Sequence, residues 1–417
     1  MATMPDFTAM RGCREGKSVS VPDVETAMLT HETASPAGRA SLYTTNRLKL
    51  GLFGANCSSG RTVTMVPERW QATWRDNVRL AQMAEAAGID FLLPIGRWKG
   101  YGGDTDYQGA TFETITWATG LLAKTERIVV FGTVHAPLFP PILAAKQMVT
   151  ADHVGEGRFG LNLVCGWNEG EFEMFGVAPG DHQRRYAQGQ EWIDALSAIW
   201  TRNDFDFDGD IIKLHGVRAK PKPWGETRPV ILNAGSSPEG KAFAIRNCDA
   251  FFTSANPTAN RTTVDESPFE EATAHIMEAK TQARAYGRDL GVYTASTVTL
   301  RPTQSEAEEY LRYVQENTDW NAIDSIMEMK GLNDKPPEIR ARIRAGYARG
   351  MGGVPLTGSP DTIAGALAQL SAAGFDGIAI SFTNYLDELP FFRDEVLPRL
   401  ERLGLRVPVT PSRSRGA

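Results

Sequence analysis

Chemistry in the 417-residue chain is concentrated in a few short stretches. The first is Asn233-Ala234-Gly235-Ser236-Ser237-Pro238-Glu239-Gly240, which leaves an apolar run and opens a helical pattern through Lys241–Asn247. Free backbone N–H groups at a helix start, joined by a serine hydroxyl, hold a phosphate without any cation. Without a ligand, the same turn is an ordinary capped junction between strand and helix. The second is Gly157-Arg158-Phe159-Gly160-Leu161-Asn162-Leu163-Val164-Cys165-Gly166-Trp167-Asn168. Its Asn162 interrupts an apolar strand, where a polar side chain is costly to bury unless partnered. It either bonds a neighbouring backbone or faces the mouth of the fold. The third pairs Glu171 with Arg184-Arg185-Tyr186, a guanidinium and a phenol suited to a second wall for a phosphate, or else a surface ion pair. The fourth, Gly96-Arg97-Trp98-Lys99-Gly100-Tyr101-Gly102-Gly103, places a cation and aromatics where they could lie over a flat ring. It lacks the GxGxxG spacing of a dinucleotide fingerprint.

Other chemistries are missing their residues. No Ser-His-Asp order, metal triad or paired carboxylates stand out, and no HExxH occurs among the scattered histidines. Cys13, Cys57, Cys165 and Cys248 are far apart, which fits neither a disulfide framework nor a zinc site. A net charge of −6 with both signs well mixed argues against nucleic acid as a partner. No apolar run approaches the ~18 residues of a membrane span, and no signal-peptide core opens the chain, so the expected location is the cytoplasm. An enzyme with so little acid–base equipment lets a cofactor carry the chemistry. A phosphate site at the mouth of the fold then favours a flavin phosphate.

The positioning elements follow from periodicity. Apolar, β-rich runs alternate with helical patterns from Leu48 onward, at Leu48–Gly54, Phe91–Ile95, Ile128–Val134, Phe159–Cys165, Val230–Ala234, Ala250–Thr253, Val292–Val298 and Gly377–Phe382. Eight strands of this kind predict an α/β fold, a TIM-type (β/α)₈ barrel with insertions. Trp70, Trp74, Val78, Ala81 and Ala84 or Met83 predict one helical face, ended by Gly88. Ser359 and Pro360 start the last helix, Ile363, Leu367 and Leu370 form its stripe, and Gly374 ends it. The echo Ala87-Gly88-Ile89-Asp90 and Ala373-Gly374-Phe375-Asp376 supports repeated units. The expected division is an arm over 1–46, the barrel over 47–403 and a tail over 404–417, frayed from Arg406 onward. Three insertions stand out: a hairpin over Phe205–Thr227, a polar loop over 256–267 and a partly helical excursion over 317–355. Long barrel loops usually cover the active-site mouth.

Gly160 through Trp167, then Glu171 and Arg185-Tyr186, then Ala234-Gly235-Ser236-Ser237, together resemble the luciferase-like flavin monooxygenases, with the pyrimidine and dimethylsulfone monooxygenase branches nearest. The similarity runs from about Leu48 to Leu403. It implies a luciferase-like barrel and a two-component enzyme, in which a separate NAD(P)H-dependent reductase supplies reduced FMN to react with dioxygen. It also implies a homodimer or homotetramer. By the same resemblance Ser237, Arg185 and Tyr186 hold the FMN phosphate, Arg97, Asn162 and Glu171 lie along the flavin or its ribityl chain, and Gly96, Gly235 and Ser236 complete the cofactor-binding set. Thr133 and Asn162 seat dioxygen beside the ring.

Cys165 and His135 depart from the family pattern, which has Thr or Ser at the first position and, in the pyrimidine branch, a small residue at the second. His135 either meets substrate or bonds a carbonyl beneath the loop Pro137–Pro141. Trp98, Phe139, Cys165 and Trp167 are the expected substrate-pocket residues. The expected reaction is oxidation of a small organic molecule with cleavage of a heterocyclic amide C–N bond. Three alternatives stay open: sulfone or sulfonate C–S cleavage, hydride transfer with a deazaflavin, and non-catalytic flavin binding.

Overall fold

Strands apolar along their whole length need cover on both faces, and here the sheet closes on itself inside a ring of helices. The computed structural model describes residues 35–178, 180–235, 237–255 and 268–409. The arm before residue 35, Ser236, the loop 256–267 and the tail from residue 410 therefore lie outside the described residues.

In chain order the strands are β1 (Lys49–Phe53), β2 (Phe91–Leu93), β3 (Val129–His135), β4 (Phe159–Val164), β5 (Phe205–Asp208), β6 (Lys213–Val217), β7 (Val230–Asn233), β8 (Ala250–Phe252), β9 (Gly291–Leu300), β10 (Val354–Gly358) and β11 (Gly377–Ser381). β5 and β6 form the anticipated antiparallel hairpin. The others form one parallel sheet in the order β10-β9-β11-β1-β2-β3-β4-β7-β8, and a further β8–β9 pairing closes eight of them into a barrel. All eight expected strands are present. β10 is an unanticipated ninth at the end of the 317–355 excursion, paired with the upper half of β9. That pairing carries β9 two residues past the expected end at Val298.

The helices are α1 (Pro36–Ala40), α2 (Trp74–Ala86), α3 (Thr114–Leu122), α4 (Pro141–Val154), α5 (Glu169–Met174), α6 (His182–Thr201) and α7 (Pro238–Asn247), followed by α8 (Pro268–Ala285), α9 (Gln304–Glu316), α10 (Trp320–Met329), α11 (Pro337–Ala348), α12 (Pro360–Ala372), α13 (Tyr385–Phe391) and α14 (Leu397–Arg402). α12 starts and buries its stripe as anticipated. α2 begins later than its apolar spacing suggested, because Thr73 accepts from the Asp76 N–H and caps it there. Trp70 lies before the helix, buried, its indole N–H donating to the Ala55 carbonyl.

The barrel interior and the helix layer are separate cores. Inside, Phe91, Leu93, Phe131, Leu232 and Tyr293 pack together, and Leu42 of the arm plugs the lower end. Gly51 leaves room for the Phe91 ring, which a Cβ there would meet at 2.2 Å. Outside, Leu50, Leu52, Val130, Leu161 and Leu163 pack against the helices.

The Gly-x-Asp echo has a physical role at the N-terminal face of the barrel. The Asp90 carboxylate accepts the Leu50 N–H at 2.7 Å, and the Asp90 N–H donates to the Leu50 carbonyl at 2.8 Å. Asp376 does the same with Val292, as does Asp249 with Ile231. Each aspartate staples the start of its strand to the neighbour. Asp90 also binds Asn46 at 2.7 Å and Arg406 at 2.6 Å, both buried. Leu405 and Arg406 are thus buried rather than frayed, since Arg406 supplies the cation that balances Asp90. In the stretch 35–46, Arg39, Leu42 and Asn46 are buried: Arg39 pairs with Asp152 at 2.7 Å, and Tyr43 donates to the Gly157 carbonyl.

Asp90→Ala strands the buried Arg406 guanidinium and cuts the staple. An expected loss of roughly 3–5 kcal/mol in unfolding free energy, read from denaturant titration, follows from removing one partner of a buried pair. A loss below about 1 kcal/mol, the size of an exposed pair, would show that the staple carries little.

Candidate functional site

Side chains alternate across a strand, so residues two apart share a face. On β3 the inward series is Val129, Phe131, Thr133 and His135. The lower two fill the barrel, and the upper two open onto a cavity of about 740 Å³ at the C-terminal ends of the strands. β4 repeats the pattern with Gly160, Asn162 and Val164. Because β3 and β4 pair in parallel with Thr133 opposite Asn162, the two polar side chains meet. The Asn162 amide donates to the Thr133 hydroxyl at 3.1 Å, and that hydroxyl donates to the Pro94 carbonyl at 2.7 Å. Asn162 Oδ1 and His135 Nδ1 are buried and have no partner among the described residues. Unpaired buried polar atoms aimed at a cavity call for a ligand that donates and accepts.

Glu171, on α5, organises the next sector. Its carboxylate accepts from Arg97 at 3.0 Å and from the Trp98 N–H at 2.8 Å, and lies 3.9 Å from His135 Nε2. Arg97 also donates to the Tyr101 hydroxyl at 2.7 Å and lies over the Tyr101 and Trp167 rings. His135 is pushed down to about 4, chiefly because burial disfavours the imidazolium; Glu171 opposes this shift and Arg97 adds to it. The ring is neutral at physiological pH. Burial lifts the Cys165 thiol to about 12, so it is a wall and not a thiolate nucleophile.

The anticipated anion cradle lies on the opposite wall. Ser237 caps α7 by accepting the Gly240 N–H at 3.0 Å, and Tyr186 lines the cavity beside it. A Cβ at Gly240 would meet the Tyr186 oxygen at 2.5 Å, so only glycine lets that phenol lie over the helix start. Arg185 lines the same wall and donates to the Gly180 carbonyl. A helix start, two hydroxyls and a guanidinium suit a phosphate, and the Thr133–Asn162–His135 sector suits a flat ring bearing donors and acceptors. Together they fit a flavin mononucleotide.

Of the residues singled out from sequence, Gly96, Arg97, Thr133, His135, Asn162, Cys165, Trp167, Arg185, Tyr186, Gly235 and Ser237 line this one cavity. Glu171 supports it from behind. Trp98 and Phe139 are not in its lining: the Trp98 ring packs on Phe139 at 6.0 Å and Phe175 at 5.0 Å, because the Glu171–Trp98 backbone bond fixes the loop. Phe53, Arg61, Tyr101, Gln108 and His182 line it unannounced, as do Met329, Lys330, Leu332, Ile343, Tyr347 and Met351 from the excursion. The excursion's length was the signal for this last group, whereas Arg61 had none.

Residues 48–377 match the model of the luciferase-like monooxygenase family, and the chain belongs to that family. It is a flavin-dependent monooxygenase by class. Among its relatives is the FMNH(2)-dependent dimethylsulfone monooxygenase of Pseudomonas putida, 30% identical over 365 residues, covering 85% of this chain and 96% of that one. Pyrimidine monooxygenase RutA of Enterobacter sp. (strain 638) is 27% identical over 360 residues, covering 85% and 96%. The crystal structure of DmoA from Hyphomicrobium sulfonivorans shares the fold, with a TM-score of 0.75 at 19% identity over 88% of this chain and 90% of that one. No helix among the described residues is long and apolar enough to cross a membrane.

The state of His135 is open to direct test. In an NMR titration its ring signal, assigned by loss in His135→Gln, is expected to stay neutral down to about pH 4. An unfolded histidine titrates near 6.5, so the unfolded chain takes up this proton first. Stability therefore falls as pH drops from about 6.5 towards 4, and His135→Gln removes that part of the slope. A midpoint near 6.5 would mean that the ring is solvated.

Proposed function

We propose that the protein is a two-component monooxygenase that uses FMNH2 and dioxygen, the FMN being reduced by a separate NAD(P)H-dependent reductase. Its proposed reaction is the oxidation of a small organic molecule with cleavage of a heterocyclic amide C–N bond. The observation that carries this reading is the polar Thr133–Asn162 pair beside unpartnered atoms in the same cavity as a phosphate cradle. Reduced FMN supplies the electrons that activate dioxygen. The chain's own residues bind and orient. Arg185, Tyr186, Ser237 and the α7 start take the phosphate, with Gly235 giving the chain room to turn there; a Cβ on Gly235 would meet Gly240 at 2.5 Å. The Thr133 hydroxyl, held by Pro94 and Asn162, is a fixed polar contact for dioxygen in a site shielded from water. His135, neutral, hydrogen-bonds the flavin edge or the substrate without adding charge.

Cleavage of a sulfone or sulfonate C–S bond is the second reading, favoured by the 30% identity to the dimethylsulfone enzyme. Cytoplasmic location and a homodimer or homotetramer belong to the same proposal. Burial of Ala144 and Ala145 of α4 against the barrel leaves only Ile142 and Leu143 of that stretch for a neighbour.

The test supplies enzymatically reduced FMN and labelled dioxygen with pyrimidines, other cyclic amides and small sulfones. Product carrying one labelled atom is expected with one of these classes. Turnover independent of dioxygen would favour deazaflavin-type hydride transfer, and flavin binding without product would leave a carrier protein. Thr133→Ala is expected to lower product yield about a hundredfold or less while sparing FMN affinity. Arg185→Ala is expected to weaken FMN binding about tenfold, measured by fluorescence titration. Wild-type product yield from Thr133→Ala would remove the dioxygen contact.

A further inference from the structure

The cations of the cavity are not matched by acids. Arg61, Arg97, Arg185 and Lys330 all line it, and no aspartate or glutamate among the described residues does, although the chain's net charge is −6. Two of the four are accounted for. Arg97 is balanced by Glu171, and Arg185 stands at the phosphate cradle. Arg61 and Lys330 have no such role.

Arg61 is half-buried in the loop after β1. Its guanidinium lies 4.4 Å over the Phe53 ring, one Nη donates to the Met351 carbonyl, and Nε is buried without a partner among the described residues. Lys330 follows α10 and reaches the mouth from the other side. Its ammonium sits 5.4 Å from the Trp167 ring and 5.1 Å from the Tyr347 ring, and donates to the Tyr347 hydroxyl at 3.2 Å. Neither forms an ion pair with a carboxylate among the described residues. Burial pulls the Arg61 pKa down. The Lys330 pKa is lowered too, by desolvation of the ammonium against its neighbours and by Arg97 and Arg61 as like charges. Lys330 is exposed at the mouth and Arg61 half-buried below it, and two cations lining one cavity are stabilised by an anion placed between them. Around them Tyr101, Leu332, Ile343, Tyr347 and Met351 supply an apolar and aromatic flank.

Resting on the reading that the Arg185 end of the cavity takes the flavin, we propose that the Arg61–Lys330 end receives the anionic group of the substrate. The substrate class is then a small organic acid, a carboxylate or sulfonate on an aromatic or apolar body. The guanidinium fork and the ammonium hold the oxyanion, and the body lies against the excursion with its reactive end pointing down towards Thr133 and His135. A neutral sulfone or unsubstituted heterocycle leaves both cations unmatched, so specificity comes from the charge as well as the shape.

The test needs neither turnover nor flavin. Benzoate, benzenesulfonate and the neutral isostere benzamide are titrated into the full-length protein by calorimetry, and again with FMN present. One or both acids are expected to bind at least about tenfold tighter than benzamide, and whichever binds better identifies the oxyanion. Arg61→Gln and Lys330→Met should each erase the preference while leaving benzamide binding unchanged; thermal melts check that both variants fold. Arg61→Lys, which keeps charge but not the fork, should retain part of it. With FMN bound, the preference should persist.

Equal binding of acids and amide overturns the proposal. So does a preference that survives in both variants but disappears in Arg185→Ala, or when FMN is added, because the probe then sits in the phosphate cradle. A loss of FMN affinity in Arg61→Gln or Lys330→Met, with no change in probe binding, would assign the charges to the flavin. Failure of the monooxygenase reading appears separately, as absence of labelled product with a bound and discriminated acid.

Discussion

The ten residues of β9 serve three neighbours in turn. Gly291–Tyr293 pair with β8, Tyr293–Thr297 with β11, and Ser296–Leu300 with β10. An open parallel sheet leaves two edges of unpaired N–H and C=O groups, and the lower part of β9 removes both by joining the last strands of the order. Closure also fixes direction. Parallel strands in a ring present all their C-terminal ends at one face, so Arg97, Thr133, Asn162 and Gly235, scattered over more than a hundred residues, share one cavity. The upper part of β9 holds β10, and β10 follows directly on the excursion that roofs the mouth. One strand therefore closes the barrel and anchors its cover. At the opposite face the aspartate staples fix the register on which this convergence rests.

Within that ring, charge is arranged in an order set by burial. Glu171 is the one buried carboxylate at the cavity's edge among the described residues that touches both Arg97 and His135. It satisfies the Trp98 backbone, which turns that indole away from the cavity, and it holds Arg97 over Tyr101 and Trp167. His135 stays neutral because burial outweighs the pull of a carboxylate 3.9 Å away. The cavity thus has a neutral, polar floor and cationic walls.

The floor was legible in the sequence and much of the roof was not. Asn162 announced itself because a polar residue in an apolar strand demands an explanation, and period-2 alternation gave its direction. Ser237 and Pro238 announced a helix start. These signals are local, carried by strand and cap chemistry. Trp98 and Phe139 misled because an aromatic residue near a mouth looks the same whether it faces the ligand or the loop behind it; the Glu171–Trp98 bond decides, and it joins residues far apart in sequence. Trp70 misled for a related reason, since its spacing matched the α2 stripe while Thr73 capped the helix three residues later. Arg406 looked like part of a charged, proline-bearing tail until Asp90 was seen to need a cation.

Arg61 and Lys330 show why the proposed cofactor end and the proposed substrate end differ in legibility. The flavin-side residues sit on barrel strands and on the helix starts that follow them, where closure leaves little freedom in position. Lys330 sits on an excursion whose packing is its own: Ile323, Ile326 and Met327 of α10 form a small core with Val63, Tyr101 and Tyr107, separate from both barrel cores. That core can change without disturbing the strands below it, and with it the side chains offered to the substrate. Relatives at 27–30% identity can therefore share a flavin site and the barrel while differing in what they oxidise. In this chain the roof and the first loop bring Arg61 and Lys330 to one cavity, a property of contacts across the mouth.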